Sequence, residues 1–337
     1  MATFPPLTRV IRAAAVALFA ASLSIHAAAE VKEVRIAQQF GIGYLPLVIV
    51  KAQGLLEKHA ERLGLGPVKV QWSTFTGGSS MNDALISGNL DFASGGVTPF
   101  LTLWSRTQGS SQVKIASVMS QMPMYLNTTD PNVKSIKDLT EKDKIALPAV
   151  KVSNQAVILA MATASQLGPD HVERINRMTV SMSHPDGTVA LLNGNITAHF
   201  TAPPFQYQEL RDPRVRTILS SKDVMGPSTF SLTWTSVKFR QDNPKTYEAF
   251  VAAMSEAVEF IRTNKAAAAR IYLKETKSRE SAEDLMKIIS DPDVEFTTTP
   301  RAVKRYADYM NQLGLIKIKP EKWQDLVFEN VHQLPGS

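Results

Sequence analysis

Between residues 34 and 104 the hydrophobic pattern changes period three times, from the two-residue alternation of a strand to the three-to-four spacing of a helix. The strand-like runs are VRIAQ, VKVQWS and LDFAS, and they lead into FGIGYLPL, TFTGGSSMNDAL and GGVTPFLTLW. Each small polar loop is thus predicted at the carboxyl end of a strand and the amino end of a helix. In an open α/β sheet ligands bind at that edge, because unpaired backbone N–H groups and the positive ends of helix dipoles face it. The repetition of the turn predicts a built ligand site.

A second set of alternating segments follows. VKIASVM reads as a strand over 113–119 and is followed by SQMPMYLNTT. KIALP is a strand over 144–148, and a helix over 153–166 has Ser153 as its N-cap. RMTVSM, a short helix over 186–192, ITAHFT and PPFQYQEL continue the set, and VRTILS and STFSLTWTSV close it. From Asn243 the pattern is helical, with Phe250, Met254, Val258 and Ile261 on one face of the first segment. Two α/β sets joined near 120 and 236, with helices returning at the end, predict a discontinuous first lobe (30–122 and 237–337) around a second (123–236). Two chain crossings would form a hinge, and the facing strand ends a cleft.

The first 29 residues read as an address. Arg9 and Arg12 precede an apolar run over 13–25, and Ala27-Ala28-Ala29 offers a cleavage site before Glu30. Export to the periplasm is the expectation. The chain has no cysteine, so it has no disulfide framework, thiolate nucleophile or lipid-acceptor thiol. Its net charge of +6 comes from dispersed Lys and Arg interleaved with acids, without the basic stripe that nucleic acid requires.

Several segments carry a resemblance in order. KAQGLLEKHA supplies Lys51, Ala52, Gly54, Leu55 and Glu57, and GGSSMNDALISGNLDFASGG supplies Gly77, Ala84, Leu85, Gly88 and Asp91. SIKDLTEKDKIALP and NPKTYEAFVAAMSEAVEFI follow, with Glu141 and Lys142 where a glycine is usual. Together, over roughly 33–270, they resemble the nitrate, sulfonate and taurine binding proteins of ABC importers. The resemblance implies an α/β, two-lobed periplasmic binding protein fold of type II. Each lobe would be a mixed sheet flanked by helices, with two hinge crossings. It also implies a monomer that closes on a small solute and docks on an inner-membrane ABC permease.

Candidate contacts come from the strand-end turns. Thr76, Gly77, Gly78, Ser79 and Ser80 offer close backbone approach and hydroxyl donors. Gly95, Gly96, Val97 and Thr98 repeat the geometry, and Gln39, Phe40 and Tyr44 offer an amide and aromatic walls. From the second set, the segment over 149–154 brings Lys151, Ser153 and Asn154 to the cleft. Lys151 there neutralises an anion or sits solvated at the rim. His199 lies in an apolar strand, either at the mouth or satisfied in the core, and Asp186 faces the cleft or caps its helix. Gln121 falls near the first crossing, while Trp104 and Phe205 are further walls or core.

The rival classes are a sensory module for a membrane receptor and an enzyme like the thiamine-pyrimidine synthases that share the fold. The latter depend on a cysteine-rich segment that is missing here. There is no G-x-S-x-G, H-E-x-x-H or P-loop, and His59, His171, His184, His199 and His332 are scattered singly. No cofactor or metal is expected. The expected ligand is a small anionic organic molecule, with aromatic, sulfonate and carboxylate compounds as the candidates.

Overall fold

The computed structural model describes residues 30–109 and 111–337, so the expected export signal lies outside the described residues. Strand β1 (Glu33–Gln38) leads to α1 (Leu45–Gln53) and α2 (Leu55–Arg62). Gly54 separates these helices at φ 60°, a left-handed conformation that glycine adopts without a Cβ penalty. Strand β2 (Lys69–Thr74) leads to α3 (Gly78–Ile86), and β3 (Ala93–Gly95) to α4 (Val97–Arg106). The three predicted strand–turn–helix units are therefore present.

The chain then runs through β4 (Val113–Gln121) into a second sheet system. In order these elements are β5 (Tyr125–Thr128), β6 (Ile145–Leu147), α5 (Asn154–Leu167) and β7 (Thr179–Ser181). Then come α6 (His184–Leu192), β8 (Ala198–Thr201), α7 (Phe205–Glu209) and β9 (Arg216–Ser220). Strand β10 (Thr229–Ser236) precedes α8 (Pro244–Thr263), α9 (Lys265–Thr276), α10 (Ala282–Ser290), β11 (Glu295–Phe296) and α11 (Val303–Gln312).

One sheet has the order β11-β4-β10-β3, and the parallel pair β1-β2 joins it through a bridge from Ile36 to Phe92. The other has the order β7-β6-β8-β5-β9. Both are mixed: β6 pairs in parallel with β7 and β8, whereas β5 pairs antiparallel with β8 and β9.

One expectation changes here. The STFSLTWTSV strand does not close the second set: β10 pairs antiparallel with β3 and β4 of the first sheet. The chain consequently passes from β9 of the one sheet to β10 of the other over 221–228. Burial on both faces makes β10 legible as a strand, but nothing local names its partner. The SQMPMYLNTT segment supplies β5, which lies between β8 and β9. Its four residues are too few to establish an alternation.

Helix α8 covers the first sheet. Phe250 stacks on Phe92 with ring centroids 3.8 Å apart, and Met254 and Ile261 are buried beside it. Such a layer removes large aromatic surface from water, which dominates the stabilisation of an α/β core. Among the described residues, no helix is long and apolar enough to cross a membrane.

Candidate functional site

Four helices begin at the strand ends that face one another across the two sheets. Their N-caps are Gly77 for α3, Gly96 for α4, Ser153 for α5 and Ser183 for α6. Ser153 and Ser183 cap with their hydroxyls, accepting from the N–H groups of Ala156 and Asp186. The first turns of these helices meet at one cavity of about 30 Å³. One water needs about 10–15 Å³ of such space, so the cavity has room for little more than one or two waters and the cleft is nearly shut.

Gly78, Ser79, Gly96 and Pro99 line the cavity from the first sheet's helices, with Gln39, Tyr44 and Phe230 beside them. Pro148, Ala149, Val152, Ser153, Asn154, Gln155 and His184 line it from the second. This lining includes no Asp, Glu, Lys or Arg. Its field therefore comes from helix N-termini, which favour negative charge, and from neutral polar side chains.

Five of those side chains are more than nine-tenths buried: Tyr44, Ser153, Asn154, Gln155 and His184. The Tyr44 hydroxyl and the Gln155 amide make no hydrogen bond among the described residues. Burial pushes the Tyr44 phenol well above its ordinary pKa, so it remains a neutral donor. The His184 imidazole is pushed down to about 3 by burial and by nearby His199, so it is neutral too.

Direct bonds close the cleft. Thr98 donates from its backbone N–H to Asn154 Oδ1 at 3.0 Å and from its hydroxyl to the Val152 carbonyl at 2.6 Å. Asn154 Nδ2 donates to the Phe230 carbonyl at 3.0 Å, and the Ile42 N–H to the Pro203 carbonyl at 3.1 Å. The glycines permit this approach: a Cβ on Gly96 would lie 2.5 Å from Asn154 Oδ1.

The predicted residues divide between the cavity and other roles. Gln39, Tyr44, Gly78, Ser79, Gly96, Ser153 and Asn154 line it. Gly77 and Thr98 stand beside it through a cap and a cross-cleft bond, and Val97 is core. Thr76 and Phe40 are exposed and absent from the lining. Gln121 lines a different cavity of about 100 Å³ near the crossings.

Three charged or titratable candidates fall away from the cavity. Lys151 sits on the surface paired with Glu173 at 3.2 Å, because a carboxylate on the following short helix is within its reach. Asp186 takes a hydrogen bond from Ser183 Oγ at 2.5 Å and acts at the cap of α6. His199 is fully buried, with Nδ1 2.6 Å from Glu209 Oε1, and belongs to the core of the second sheet.

Sequence reading missed Gln155, His184 and Phe230. Phe230 was hidden by the misplacement of β10. His184 could have been found, since SHPDG is another strand-end turn, but α6 starts two residues before the predicted 186.

These features define an α/β protein of the periplasmic binding protein fold. The chain belongs to the NMT1-like family, whose family model matches residues 27–273. No curated protein matches it significantly in sequence. Among solved structures it is similar to the alkanesulfonate-binding protein SsuA from Xanthomonas axonopodis pv. citri bound to MOPS. That match has a TM-score of 0.68 at 17% identity and covers 87% of this chain and 96% of the other. The aliphatic sulphonate binding protein SsuA from Escherichia coli gives 0.64 at 20%, covering 89% and 98%. The periplasmic nitrate-binding protein NrtA from Synechocystis PCC 6803 gives 0.67 at 15%, covering 90% and 86%.

Proposed function

We propose that this chain is the solute-binding component of an ABC uptake system, exported to the periplasm and working as a monomer beside an inner-membrane permease. It captures a small organic anion, of sulfonate or carboxylate class, between two lobes and releases it unchanged. The observation that carries the reading is the convergence of four helix N-termini on one cavity whose lining bears no charged side chain. Helix ends stabilise a negative group without an ion pair, and closure strips its water so that each donor counts for more. The family and the sulfonate and nitrate binding neighbours support the same class.

In this reading the first lobe holds β1 to β4, β10 and β11, the second holds β5 to β9, and the crossings over 122–124 and 221–228 are the hinge. Opening breaks the Asn154 and Thr98 bonds and admits the solute, and closing presents a single shape that a permease can recognise. A thermal-shift screen of the mature protein over sulfonates, carboxylates, nitrate and neutral isosteres tests it. A ligand at 100 times its dissociation constant adds about 2.7 kcal/mol of stability, which is readily measured. Stabilisation by the anions and not by the isosteres is expected. A response confined to neutral compounds, or turnover of a bound compound, would overturn the reading.

A further inference from the structure

The cavity holds one imidazole, which the sequence did not place among its candidate contacts. His184 is the first residue of α6, 7% exposed, and lines the cavity from the second sheet's side. Its Nδ1 lies 2.8 Å from Thr201 Oγ1. Nε2 is therefore the ring nitrogen left to the cavity. One face of the ring stacks on Phe205, with centroids 5.6 Å apart and planes at 19°. The imidazole is thus fixed in position and presents a single polar atom.

We propose that His184 takes up a proton from solvent when an anionic solute binds, so that Nδ1 donates to Thr201 and Nε2 donates to the solute. The proposal rests on the anion-binding reading above.

The surroundings explain why the ring waits neutral. From β8, His199 is its titratable neighbour, with ring centroids 5.9 Å apart. From α7, Glu209 is engaged by His199, Thr188 and Asn127. On α6 itself, Asp186 is held by Ser183, and across the cavity Tyr44 is a neutral phenol. None of these carboxylates reaches His184, and the N-terminus of α6 disfavours a cation on its first residue.

Burial leaves the free protein's imidazole at about 3. A unit negative charge about 4 Å away in a partly solvated site raises proton affinity about a thousandfold, enough to carry the ring close to pH 6 in the complex. Above that value the ring is neutral with or without solute; below it, only the complex is protonated. Affinity therefore rises as pH falls, by about tenfold between pH 8 and pH 5.

Titration calorimetry with methanesulfonate and benzenesulfonate tests this, since a sulfonate keeps its charge throughout the range. The expected result is tightening toward pH 5, with a binding enthalpy near pH 6 that depends on the buffer's ionisation enthalpy and reports net proton uptake. His184→Gln is expected to bind with pH-independent affinity, and the buffer experiment on the unaltered protein needs no variant. Measurable binding that is flat in pH and indifferent to buffer overturns the role of His184 alone. If neither sulfonate binds at any pH, the proton-linked role and the sulfonate reading both fall.

Discussion

Asn154 joins the two sheet systems with one side chain: its carbonyl oxygen accepts from the Thr98 backbone N–H at 3.0 Å, while its amide donates to the Phe230 carbonyl at 3.0 Å. Asn154 stands on α5, and both partners are main-chain atoms of the opposite side. Its oxygen takes up a backbone N–H of the first turn of α4. Hydrogen bonds of this kind contribute about 0.5–1.5 kcal/mol each. Asn154→Ala should therefore shift the ligand-free protein toward the open form by about tenfold. Small-angle scattering would show a larger radius of gyration before ligand is added, and an unchanged profile would count against the latch.

Gly96 and Gly78 separate closure from folding. At Gly96, φ is −71°, which suits alanine, yet the new Cβ would meet Asn154 at 2.5–2.9 Å. Gly96→Ala should obstruct closure, costing about 1–3 kcal/mol in binding and little in stability. At Gly78 the Cβ would instead meet the Pro99 ring at 2.7 and 2.9 Å, within the first sheet's own helices. Gly78→Ala should lower stability by a similar amount through that contact. Calorimetric affinity and denaturant midpoints for both variants would distinguish these assignments.

The neutral, buried His184 also sets an acid limit on folding. Its pKa is lowered from 6.5 in the unfolded chain to about 3 in the folded one. Below pH 6.5 the unfolded state binds the extra proton, so stability falls as pH drops from 6.5 toward 3. The full loss is about 5 kcal/mol. Chemical denaturation across this window should show a loss that His184→Gln reduces. A bound anion should reduce it as well, since it favours the charged ring in the folded state.

The buried Glu209 predicts a stability effect without a binding effect. It accepts from Asn127 and Thr188, each at 2.9 Å, and lies 2.6 Å from His199 Nδ1. Glu209→Ala would strand these groups in the core of the second sheet and cost about 3–5 kcal/mol. Folded molecules should retain their affinity, because none of these four residues lines the cavity. A weakened affinity at full folding would argue that the network extends to the site.

The contrast between Ser79 and His199 shows what the sequence could convey. Ser79 follows a strand and opens a helix, so its place at the strand-end edge is a local property, and the three early turns were legible for that reason. His199 also lies beside a turn, but its position depends on Glu209, ten residues further on and across a helix start. Local pattern cannot identify such a partner. The same holds for β10, whose hydrophobic run announced a strand while its pairing to β3 was fixed by tertiary packing. Lys151 misled for a related reason: Glu173, its surface partner, lies beyond the predicted helix.

The helix ends at the cavity have an evolutionary consequence. Replacing Ser79 or Gln155 alters the contour and the neutral contacts offered to a guest, but leaves the peptide dipoles of α3 and α5 in place. Drift at such positions can re-tailor which molecule is admitted while the preference for negative charge, written into the backbone, is inherited intact.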